Sequence, residues 1–155
     1  MRTIDWQDGH VVAIDQTLLP ATLRVIQIRT VAELVDAIRR LAVRGAPALG
    51  VAGALGVALA ARSHPGDEVR RQAAELRAAR PTAVNLSWGV DRALTRLDDG
   101  PEAVLKEALV ILEEDVRCNR RLGERGAAWL LENATGPVAV HTHCNAGALA
   151  CVEWG

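Results

Sequence analysis

The chain has 155 residues, half of them hydrophobic, with 18 Lys and Arg against 19 Asp and Glu and a net charge of −1. That length supports one ordinary core, or a small domain plus part of another. So even a balance gives no broad field to draw nucleic acid or an acidic membrane, and any anion site must be local.

Short β-like runs come first: "RTIDW", "HVVAIDQ" and "LRVIQIR", punctuated by Asp8-Gly9 and by Pro20. They predict a small antiparallel meander over residues 1–29. Arg2, Asp5 and Asp8 break the amino terminus before an apolar signal run can form. Together with an odd number of cysteines, this makes a reducing cytoplasm the expected setting.

Beyond Thr30 the pattern is helical. "TVAELVDAIRRLAV" opens with Thr30 three residues before Glu33, the spacing of a capping box, and puts Leu34, Ala37, Ile38 and Leu41 on one face. The helix is expected to stop at "RGAP", with Gly45 as its C-terminal cap and Pro47 in the first turn of the next helix. That leaves Arg44 at a joint between two helices.

The second helix, "PALGVAGALGVALAA", carries Gly50, Gly53 and Gly56. Each glycine costs about 1 kcal/mol of helix propensity, so a smooth groove for a closely packed neighbour is the expected compensation. The uncharged run from Ala46 to Ala61 is shorter than the ~20 residues that span a bilayer, which marks it as a buried helix. Charged helices follow over roughly 66–80, 84–98 and 101–133. There is no repeat or low-complexity stretch.

After "NATGP", Val138 and Val140 in "VAVHTHC" predict a buried strand, and "ALACVEW" is helix-prone. Three readings of "HTHCNAGALA" compete. His141, His143, Cys144 and Cys151 are soft metal ligands. On a strand, however, both histidines share one face while Cys144 turns to the other, and no CxxC or HxxxH pair completes a tetrahedron. A second reading is a buried cysteine at a strand end, with the histidines satisfied by neighbours. In the third, Asn145, Ala146 and Gly147 form a candidate phosphate cradle at a helix N-terminus, whose dipole also favours thiolate at Cys144. Cys118, in mid-helix, packs or is merely exposed. Arg44 and Arg80 each precede a turn, "RGAP" and "RPTAVNL". Either could be a solvated helix-end cation, but turns are also where side chains reach a pocket.

"RGAPALG", "RPTAVNLSWGVDR", "EEDVRCNRRLGERGA" and "HTHCNAGALA", in this order, resemble the amino-terminal half of the methylthioribose-1-phosphate isomerases. The opening "TIDWQDGHVVAIDQTLLP" resembles that family's start. Ribose-1,5-bisphosphate isomerases and the regulatory subunits of eukaryotic initiation factor two B belong to the same superfamily and are the alternatives.

The resemblance implies an aldose–ketose isomerase of methionine salvage, converting 5-methylthioribose 1-phosphate to 5-methylthioribulose 1-phosphate without metal or nucleotide cofactor. It implies a cytoplasmic homodimer in the full-length enzyme, with a sugar phosphate and neither nucleic acid nor membrane as partner. Arg44, Gly45 and Ala46 would bind substrate, Arg80 would pair with its phosphate, and Cys144 would be the catalytic cysteine. The expected class is α+β: the meander (1–29) and a helical bundle (30–135) form one domain, and residues 136–155 supply the first strand and helix start of a truncated Rossmann-like domain. The family's catalytic aspartate and an asparagine–lysine substrate contact belong to the remainder of that domain, so the 155 residues alone are expected to be inactive.

Overall fold

Asp8 and Gly9 take left-handed backbone angles, φ 48° and 83°, the pair that a two-residue hairpin turn of the primed kind requires. They join β1 (Ile4–Gln7) to β2 (His10–Ile14) in antiparallel register, Gln7 opposite His10. β3 (Val25–Ile28) pairs with the other edge of β2, Val11 opposite Ile28, so the meander has the order β1-β2-β3. The computed structural model describes residues 1–155.

Five helices follow: α1 (Val31–Arg39), α2 (Ala46–Ser63), α3 (Gly66–Ala79), α4 (Val84–Leu94) and α5 (Pro101–Asn133). The capping box at α1 forms as expected. Thr30 Oγ1 accepts from Glu33 N, and Glu33 Oε2 accepts from Thr30 N, both at 3.2 Å. The end of α1 differs from expectation. The helix closes at Arg39, and Leu41, at φ 65°, donates its N–H to Ile38 O. Gly45 instead begins α2, at φ 96°. α4 also stops short of residue 98, giving way to a 3-10 turn at Leu97–Asp99.

α2 is the central element. Its residues from Ala48 to Ala60 are all buried, and it touches α1, α3, α4, α5 and β1. It is the one helix long and apolar enough to cross a membrane, and it is instead the middle of the hydrophobic core. The glycine groove is filled as expected: an added Cβ on Gly53 would lie 2.6 Å from the Leu86 carbonyl oxygen of α4. On the facing side, one on Gly89 would lie 1.9 Å from the carbonyl oxygen of Gly50. Arg92 ties α4 to α5 through Glu107 (2.7 Å) and Glu114 (2.5 Å).

The expected Rossmann-like strand and helix are absent. Residues 137–143 are exposed and unpaired, and Ala148–Ala150 make only a 3-10 turn. A lone parallel strand has no ladder for its backbone groups, and no other strand of this chain lies beside this one, so it stays in water. The terminal residues fold back instead. Thr3 N donates to Val152 O at 2.7 Å, and Asp115 Oδ2 of α5 accepts from Val152 N at 2.8 Å.

Candidate functional site

Two of the joints between helices open on one cleft of about 480 Å³. Arg44, Gly45 and Ala46 reach it from the turn before α2, and Arg80, Thr82 and Asn85 from the turn before α4. Leu41, Leu49 and Val84 add apolar surface to its lining. The sequence-predicted substrate residues Arg44, Gly45, Ala46 and Arg80 are thus brought together. Both arginines are half-buried, and neither has a carboxylate partner within ion-pair distance, whereas nine other arginines do.

The backbone adds to the positive character. Gly45 is the N-cap residue of α2 and Ala83 that of α4, and neither helix has a side-chain cap. The N–H groups of Ala46, Val84 and Asn85 accordingly have no acceptor within the chain. Uncapped N–H groups at the positive end of a helix dipole bind anions. Here two such ends and two guanidinium groups share one cleft, an arrangement suited to a phosphate ester.

A brace holds the first joint. Gln16 Nε2 donates to Leu149 O (2.8 Å) and Arg44 O (3.4 Å). Beside it, Asp15 pairs with Arg40 at 2.9 Å and accepts from the Thr17 hydroxyl at 2.6 Å. The Thr17 hydroxyl first, and the Arg40 guanidinium with it, hold the buried Asp15 carboxyl below the usual carboxylate range. Gly45 must be glycine on two counts: φ 96°, and the backbone of Ala150, whose Cα lies 2.4 Å from where a Cβ would stand.

The second sequence-predicted group is elsewhere. Cys144, Asn145 and Ala146 are exposed and Gly147 half-buried, and none of the four lines the cleft. Cys144 lies at a turn with φ 67°. The α-helix expected to follow it is replaced by the three-residue 3-10 turn, so the helix-dipole argument for a thiolate at Cys144 and a phosphate cradle at 145–147 does not apply to this structure. His141, His143 and Cys144 are all exposed, and no three His, Cys, Asp or Glu side chains gather into a cluster. Cys118 is exposed, while Cys151 is buried. Burial first, and the nearby Asp115 carboxylate second, push the Cys151 thiol up to about 11.

Sequence reasoning missed Thr82, Asn85 and the α4 N-terminus. The signal was present in "RPTAVNL": after Pro81, the run enters its helix through Ala83, a residue that cannot cap.

The profile of the initiation factor 2 subunit family matches residues 42–153. The chain belongs to that family. A putative methylthioribose-1-phosphate isomerase of Archaeoglobus fulgidus is 49% identical, the alignment covering 100% of this chain and 48% of the relative. The 5-deoxyribose 1-phosphate isomerase of Moorella thermoacetica is 50% identical, with 98% and 46% covered. The crystal structure of 5-methylthioribose 1-phosphate isomerase from Pyrococcus horikoshii superposes with a TM-score of 0.87 at 35% identity, over 99% of this chain and 46% of that one. The chain therefore spans about half the length of the relatives it matches.

Proposed function

We propose that the chain forms the phosphate-binding half of an aldose–ketose isomerase acting on 5-methylthioribose 1-phosphate. The observation that carries this reading is the convergence of Arg44, Arg80 and two uncapped helix N-termini on one cleft. With phosphate on the anomeric carbon, the sugar cannot open as a free hemiacetal does. The site must therefore hold the phosphate, help break the ring, and move a hydrogen from C2 to C1. The arginines and the N–H groups of Ala46 and Asn85 supply the first task, fixing the sugar so that the acid–base steps become intramolecular. Cys144 is the proposed proton-transferring thiol. It lies six residues before Ala150, whose backbone rests on Gly45. The acid is assigned to an aspartate of the half that the relatives possess in addition.

A second reading, with 5-deoxyribose 1-phosphate as the substrate, is favoured by the 50% identity to the Moorella thermoacetica enzyme. Both substrates place phosphate on C1 and an apolar group at C5, so both use the same cleft.

Titration calorimetry of the 155-residue chain with 5-methylthioribose 1-phosphate tests the common part. Arg44→Ala and Arg80→Ala are each expected to weaken binding by about 1.5–3 kcal/mol, as loss of a charge-assisted contact does, with unfolding stability nearly unchanged. Unaltered affinity in both variants would return the arginines to a role as solvated helix-end cations.

A further inference from the structure

Leu41 stands where helix geometry asks for glycine. Its φ of 65° follows from its place just beyond the end of α1, where the turn closes through a left-handed residue. In that conformation the Cβ of any L-residue crowds the following carbonyl oxygen, and only glycine, asparagine and aspartate adopt it readily. A leucine could be retained there for burial, but Leu41 is 43% exposed, while its neighbours Ala42 and Val43 are 0% and 3% exposed. The core therefore explains the turn and not the side chain.

What the side chain does instead is line the cleft, beside Leu49 and Val84. Val84 is 77% exposed, so two large aliphatic groups stand uncovered in the lining of a cleft that Arg44 and Arg80 also line. Leu41 precedes Arg44 by three residues and Val84 follows Arg80 by four. The apolar and cationic groups thus lie within roughly 10–14 Å of chain from one another at most, a span that a pentose phosphate can bridge. A cleft whose lining holds both guanidinium-bearing and uncovered aliphatic residues is complementary to a ligand that carries both an anion and an apolar group.

We propose that Leu41, seconded by Val84, is the specificity-determining residue for the apolar C5 substituent of the sugar phosphate, selecting an alkylthio or deoxy C5 over a hydroxymethyl one. The inference rests on the sugar-phosphate reading above and deepens it. The hydroxyl of an ordinary pentose phosphate would have to shed water against Leu41 and Val84 without gaining a hydrogen bond, whereas an alkylthio group gains contact there.

The test uses the 155-residue chain, wild type and Leu41→Asn, with three probes in titration calorimetry: inorganic phosphate, ribose 1-phosphate and 5-methylthioribose 1-phosphate. Asparagine retains the left-handed preference and removes the apolar surface, so the melting temperature is expected to hold or rise. The wild type is expected to prefer 5-methylthioribose 1-phosphate over ribose 1-phosphate by about tenfold or more, and Leu41→Asn to cut that ratio at least fivefold. A ratio unchanged by the substitution, or no preference in the wild type, overturns the role of Leu41 and leaves the phosphate site standing. Binding of phosphate but of neither sugar, or of no probe at all, overturns the sugar-phosphate reading and this inference with it. A melting temperature several degrees below wild type overturns the premise that Leu41 is held against its backbone preference.

Discussion

Gly89→Ala and Gly123→Ala make the same chemical change in two helices, and the packing around them predicts opposite signs. In both, the added methyl favours the helix by about 0.8–1 kcal/mol. At Gly123 an added Cβ meets nothing within 4 Å, so that gain should stand and stabilise the protein. At Gly89 the Cβ would stand 1.9 Å from the Gly50 carbonyl oxygen, against the 3.0 Å that real Cβ atoms keep. α2 and α4 must therefore part by about 1 Å, and a gap of 0.5–1 Å forfeits about a quarter to a half of the dispersion attraction across it. Leu86 and Val90, both fully buried in α4, lie along this seam, and each contributes about 1.5–3 kcal/mol through burial. The loss is then about 1–3 kcal/mol from these two, joined by the strain of overpacking, about 1–3 kcal/mol. Set against the helix gain, the net is a destabilisation of about 1–5 kcal/mol, or about 2–20 °C in melting temperature. Urea unfolding monitored by circular dichroism measures both variants. A Gly89→Ala protein as stable as wild type would refute the close approach of α2 and α4.

Asp15→Asn should cost about 1–3 kcal/mol at pH 7, because it removes the buried carboxylate that accepts from Thr17 and pairs with Arg40, leaving Arg40 only the exposed Asp36. The folded carboxyl lies below its ordinary 3.8, so the wild-type stabilisation is complete above that value and is lost as pH falls through the folded one. Urea midpoints of the two proteins should converge toward low pH. Iodoacetamide should modify exposed Cys118 and Cys144 quickly and buried Cys151 only on unfolding, as mass spectrometry would show. The raised Cys151 thiol carries a linkage of its own: the folded state keeps its proton to about 11 while the unfolded one loses it near 9, so stability should decline as pH rises through that window. A Cys151→Ala protein with the same decline would count against it.

The helical part of the fold was legible because its signals are local. Thr30 and Glu33 are three residues apart, Pro47, Pro81 and Pro101 mark helix starts, and the Gly50-Gly53-Gly56 stripe announces a close neighbour without saying which helix it is. The end of α1 was misplaced because Leu41 occupies the position that Gly45 seemed better suited to fill. Nothing in a leucine advertises a left-handed turn, and by propensity alone the nearest glycine is the better candidate. Residues 137–150 failed for another reason. A buried parallel strand is defined by neighbours on both sides, and "VAVHTHC" has the composition of one while none of β1–β3 pairs with it.

The site was legible in its charges and not in its cradle. Arg44 and Arg80 each precede a turn in the sequence, whereas its small residues after a cysteine point to backbone donors at Asn145–Gly147. In the site proposed above they are the uncapped N–H groups at the starts of α2 and α4, and the reason connects the core to the cleft. An uncapped helix N-terminus is costly unless an anion or water meets it. Two of them can serve one ligand only if their helices run close together at that end. Gly50 and Gly53 on α2 and Gly89 on α4 permit that approach, with backbone against backbone where side chains would hold the helices apart. The glycines that weaken each helix by propensity are therefore what bring Ala46 beside Val84 and Asn85. The packing stripe and the proposed anion site, separate observations along the sequence, belong to the same helix pair.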